Sequence, residues 1–149
     1  MRTIFLILII FFIFAQKHGY TEPKIIKKIS EIENFTFDFE QLINDKKETG
    51  NCIISFNNKM MCKYDETGKL IVSNGKTLLI KNKSSNFANT YKTENTYFKY
   101  FLNKEFLISK IVGNVVEKEQ NFLLLINDQS NQLSIFFDKK NYLIKGWET

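Results

Sequence analysis

Histidine is almost absent from this chain: His18 is the only one, and it stands beside an apolar N-terminal run. Its scarcity removes the usual general base and any Ser-His or Cys-His pair, so an enzyme is not expected. Arginine is as scarce, because Arg2 is the only one and every other cation is lysine. Without guanidinium forks for bases and phosphates, and with the lysines scattered, the formal charge of +5 does not read as a nucleic-acid surface. The two cysteines have no histidine near them, so neither a zinc site nor any other cofactor is expected. The 6 glycines include no phosphate-cradling loop. One proline, Pro23, lies where a first helical turn tolerates its missing donor.

What is abundant is apolar and aromatic. Residues 1–16 place Arg2 before an apolar run from Ile4 to Phe14, too short to span a bilayer and suited to a secretory signal. Residues 1–19 are therefore expected to be a signal peptide, with its cleavage site left open and an uncleaved anchor as the lesser alternative, and residues 20–149 to form one exported domain. No cysteine follows the run, so a lipid anchor has no attachment point.

Residues 69–80, KLIVSNGKTLLI, flank an Asn74-Gly75 pair with apolar runs, a strong hairpin signal. A type I′ turn there predicts that Ser73 faces Lys76 and Ile71 faces Leu78. One face then carries Ile71, Leu78 and Ile80, the other Leu70, Val72 and Leu79, so both faces need a cover.

Before this hairpin, Ile25, Ile26, Ile29 and Ile32 form the apolar side of an amphipathic helix that is expected to lie on a sheet. Phe35, Phe37 and Phe39 then alternate with polar residues as a half-buried strand. Residues 42–49 read as a polar connection closed by Gly50. Strands are expected at 51–56 and 60–65, in the register that opposes Cys52 to Cys62 and Ile54 to Met60, because that pairing gathers the larger apolar residues on one face. It leaves either a cross-strand disulfide or two buried free thiols.

After the hairpin, a strand is expected at 87–92, followed by an aromatic helix at 97–102 with Thr96 as its N-cap. The pattern leaves 105–112 as either more helix or a strand. Short strands at 112–117, 122–126, 133–137 and 142–147 argue an antiparallel meander. The fold class is thus mainly β (α+β), with no helix-strand repetition and hence no doubly wound sheet.

The segment Val72-Ser73-Asn74-Gly75-Lys76-Thr77-Leu78 resembles the same point of the periplasmic outer-membrane lipoprotein carrier family, LolA. The likeness extends to the amphipathic helix and Phe-rich strand, to Gly50, to Leu102-Asn103-Lys104-Glu105 and to Leu133-Ser134-Ile135-Phe136-Phe137-Asp138. It implies an unclosed antiparallel β-barrel with a short helical lid, whose apolar interior holds lipoprotein acyl chains. It also implies a monomeric periplasmic carrier that loads from an inner-membrane lipoprotein-releasing transporter and delivers to an outer-membrane receptor. On strand parity with that resemblance, the acyl cavity is expected at Phe37, Ile54, Phe56, Met60, Cys62, Ile71, Leu78 and Ile80, under Phe98 and Phe101. The family's Arg-Pro pair is Phe56-Asn57 here, so lid closure is expected either to depend on something other than that arginine or to be looser. The family's Thr-Pro-Leu is Thr96-Tyr97-Phe98, and the chain stops at Thr149, where a truncated domain is expected. The rival expectation is a non-catalytic β-domain of the same architecture that binds a partner protein or senses, with a dry, filled interior.

Overall fold

The computed structural model describes residues 21–128 and 131–149, and the side chains of all of these except Asp128 and Asn131. The expected signal peptide lies outside the described residues. The chain divides into two compact units, one formed by residues 29–110 and the other, among described residues, by 21–28 and 111–149.

Helix α1 (Glu22–Glu31) starts on the Thr21 carbonyl, which accepts from the amides of Lys24 and Ile25. Its amphipathic pattern is realised: Ile25 and Ile29 are buried while Lys24, Lys27 and Glu31 are exposed.

The unit of residues 29–110 is built on a six-stranded antiparallel meander. Its strands are β1 (Asn34–Ile43), β2 (Lys46–Ser55), β3 (Lys59–Tyr64), β4 (Leu70–Ser73), β5 (Thr77–Lys81) and β6 (Ala88–Lys92), side by side in chain order. The β1–β2 hairpin is longer than expected. Residues 42–49 are mostly strand, and the chain reverses at Asn44-Asp45, where φ is 47° and 62° and Ile43 pairs with Lys46. Two consecutive left-handed residues are the type I′ signature, tolerated by Asn and Asp.

The opposite correction applies at Asn74-Gly75. Only Gly75 has positive φ (90°), and Ser73 pairs with Leu78 rather than facing Lys76, so the loop holds four residues. The Asn74 side chain decides this by accepting from the amides of Lys76 (3.0 Å) and Thr77 (2.8 Å), which ties the chain into a wider turn. Lengthening the loop by two residues preserves strand parity, so Ile71, Leu78 and Ile80 still share a face.

Cys52 pairs with Cys62 and Ile54 with Met60. The two cysteines are joined in a disulfide with Cα atoms 4.1 Å apart. At Gly50 an added Cβ would strike the Lys63 carbonyl and lie 2.7 Å from the Phe39 ring. The absent side chain lets Phe39 and Tyr64 meet edge to face, with ring centroids 4.8 Å apart.

Beyond β6, a 3-10 turn (Thr93–Asn95) leads into α2 (Phe98–Leu102) and α3 (Lys104–Ile111). Thr96 is not an N-cap: its hydroxyl donates back to the Thr93 carbonyl at 2.9 Å, and Tyr97 stands in the cap position without a side-chain bond. The segment whose pattern was undecided is helix, opened by Asn103, whose side chain accepts from the Phe106 amide at 2.8 Å.

The second unit carries a four-stranded antiparallel sheet, β7 (Val115–Glu117), β8 (Asn121–Asp128), β9 (Asn131–Asp138) and β10 (Ile144–Glu148), in the order β10-β9-β8-β7. Its apolar side chains Phe122, Leu124, Ile126, Leu133, Ile135 and Phe137 are buried. In the same unit Glu22 accepts from the amides of Gly113 (2.9 Å) and Val115 (3.1 Å), which ties the start of α1 to the turn before β7. The fold is mainly β with a few helices, and both sheets are open and antiparallel.

Candidate functional site

The six-stranded sheet has two faces, and the strand registers fix which residues share each. On the inner face one row runs Phe35, Ile54, Met60, Ser73, Leu78 and Tyr91, and the next runs Phe37, Cys52, Cys62, Ile71, Ile80 and Asn89. Cys52, Ile54, Met60, Cys62, Tyr64, Ile71 and Leu78 form one buried cluster with Leu102 of α2, and Phe37, Phe39, Ile80 and Phe98 pack against it. A short helix therefore lays Phe98 and Leu102, one turn apart, over the floor of the sheet.

The sequence-derived residues Phe37, Ile54, Met60, Cys62, Ile71, Leu78, Ile80 and Phe98 are brought together in this cluster. Two are not. Phe101 is buried but packs outside the cluster, and Phe56 follows the end of β2, where the Lys104 ammonium lies 5.2 Å from its ring centroid. Lys104 also donates to the Ser30 carbonyl at 3.1 Å, so it clips the start of α3 to two neighbours of the sheet. Leu102, Phe39 and Tyr64 were not among the expected lining residues. Leu102 follows Phe98 by four positions, a helical spacing that could have revealed it.

The cluster's polar contacts are few and satisfied. Ser73 lies on its edge, buried, with its hydroxyl 3.1 Å from that of Thr93 and accepting from the Gly75 amide at 3.0 Å. Tyr64 donates to Gln41 at 2.7 Å, while the Lys69 ammonium sits 3.7 Å from its ring centroid and 2.7 Å from Glu48. That hydrogen bond holds the Glu48 carboxyl below its ordinary value, and burial pushes the Tyr64 phenol up, helped by the Glu48 charge. The cover thins toward β6, where Asn89 is exposed and Tyr91 is 48% exposed at the end of the same rows.

The outer face differs from expectation. Ile53 and Met61 are 41% and 47% exposed, so that side is open at these positions of β2 and β3. Sequence periodicity reported two apolar faces, but only the inner one is closed.

Among the described residues no group of three or more His, Cys, Asp or Glu side chains could hold a metal ion. No helix among them is long and apolar enough to cross a membrane. The class these features define is an open antiparallel β protein with one apolar sheet face under a short helix. No family model and no curated protein matches the chain. Among solved structures, a crystal structure of a LolA superfamily protein from Nitrosomonas europaea matches with a TM-score of 0.43 and 11% identity, covering 87% of this chain and 71% of that one. Similarity at this level carries no function across.

Proposed function

We propose that this protein is a periplasmic carrier that binds lipoprotein acyl chains on the inner face of its six-stranded sheet and moves lipoproteins from the inner to the outer membrane. The observation that carries the reading is a sheet face whose floor, Ile54, Met60, Ile71 and Leu78, is wholly apolar and is covered by a helix of only five residues. Isolated helices this short are not stable by themselves, so the cover is held by the contacts it makes and can exchange them for others. A hydrocarbon chain replacing Phe98 and Leu102 gains roughly 0.8 kcal/mol per buried methylene. Aliphatic walls without fixed polar partners grip that chain without regard to its head, which suits a carrier of many cargoes. Loading from an inner-membrane transporter and delivery to an outer-membrane receptor follow from the sequence resemblance.

The near-complete burial of the floor by the chain itself favours one rival, a non-catalytic β-domain whose inner face is an ordinary core. The test is to purify the exported protein without detergent and analyse it for bound lipid and acylated polypeptide. Recovery of acylated protein in stoichiometric amount supports the carrier. A protein free of both, which also takes up no acylated peptide offered in solution, is the ordinary β-domain.

A further inference from the structure

The outer face of the six-stranded sheet carries a second pattern that the carrier reading does not use. The registers align Ile53, Met61, Val72 and Leu79 across four adjacent strands. At about 4.8 Å per strand this is an apolar stripe roughly 15 Å long. Ile53 and Met61 are exposed, and Val72 and Leu79 are half-buried. Two residues along the strands, on one side of the stripe, stand Lys63 and Lys81; on the other stands Lys59. All three lysines are exposed and make no ion pair among the described residues. The acidic side chains of this face stand away from the stripe and are engaged: Asp38 and Glu40 on the far strand β1 are bonded to Asn51 at 3.0 Å and paired with Lys47 at 2.8 Å, and Asp65, just past β3, accepts from Thr49 at 2.9 Å.

We infer that this face docks on an anionic lipid surface. Charge complementarity selects the occupant. Unpaired lysines bracket an apolar stripe, so the apolar side chains can enter the headgroup layer while the ammonium groups stay level with the phosphates on their flexible stems. A folded acidic partner fits less well. Every strand beneath the stripe has a neighbour on both sides, so its backbone offers no edge for strand addition. Lysine heads also fix no bidentate geometry. What the face can read is negative charge density over an apolar layer, which is what an anionic leaflet presents. The inference does not rest on the inner face holding acyl chains.

The test is flotation of the exported protein with phosphatidylglycerol–phosphatidylethanolamine vesicles and, separately, with phosphatidylcholine vesicles. The protein is expected to float with the first and not with the second. Replacing Lys59→Gln, Lys63→Gln and Lys81→Gln together is expected to lower partitioning about 100-fold, at about fivefold per lysine, with an unchanged melting temperature because all three are exposed. Met61→Glu, at an exposed position, is expected to abolish flotation while leaving the fold intact. Equal flotation with neutral vesicles, undiminished flotation of the triple variant, or no flotation with either vesicle would overturn the inference. So would binding of an acidic peptide through the same lysines by a parent that ignores anionic vesicles.

Discussion

Glu48, Lys69 and Tyr64 form a part of the inner face's rim where charge is set against an aromatic ring. The Lys69 ammonium is shared between the Glu48 carboxylate at 2.7 Å and the Tyr64 ring at 3.7 Å, and the two charged side chains are only 13% and 20% exposed. Because hydrogen bonding from Lys69 lowers the Glu48 pKa in the folded state, the folded state binds that proton less readily than the unfolded one. The stability it contributes is therefore complete above the ordinary value of 4.5 and is lost as pH falls through the lower folded value. Glu48→Gln is expected to reduce stability near neutral pH and to flatten its decline below about pH 4.5. Urea midpoints measured across that range check this. A variant whose acid sensitivity equals the parent's would show that the Lys69 bond contributes nothing.

At the scale of elements, the turns control the registers. Gly75 has φ 90°, and a Cβ built there would lie 2.5 Å from the Asn58 Cβ in the neighbouring β2–β3 turn. Gly75→Ala therefore meets a left-handed backbone and a contact at once, and is expected to cost about 1–3 kcal/mol in urea denaturation. A loss below about 0.5 kcal/mol would mean the turn rearranges freely. Much of the architecture was legible because strand parity survives errors of turn. The β2–β3 register followed from sorting Phe, Met and Cys onto one face, and the inner floor of Ile71, Leu78 and Ile80 held although the loop was two residues longer than expected. The β1–β2 hairpin was not legible. Lys46 and Lys47 extend a strand with little apolar content, and Asn44-Asp45 is a weaker turn signal than Asn-Gly. The cover was only half legible, because five helical residues present too few positions to define a face. Leu102 lies in the cluster and Phe98 packs against it, while Phe101 is buried outside it.

For the whole molecule, the question is whether its most apolar surface is a core or a site, and substitutions at floor and cover answer it differently. Leu78 is 2% exposed in the middle of the floor, so Leu78→Glu would bury an unpaired carboxylate and is expected to unfold the unit whatever its function. Phe98 is only partly buried, at the start of a helix whose N-cap makes no side-chain bond, so its removal disturbs less. If acyl chains bind beneath α2, the Phe98 ring is what they displace, and shortening it lowers the work of displacement. Phe98→Ala is then expected to lower the melting temperature by a few degrees, about 1 kcal/mol, while raising uptake of a fluorescent acylated peptide roughly tenfold. Stopped-flow fluorescence would read the uptake and calorimetry the stability. In an ordinary core the same truncation leaves a cavity and costs about 3–5 kcal/mol, and no uptake is gained. Lost stability without gained uptake would thus assign the inner face to folding alone.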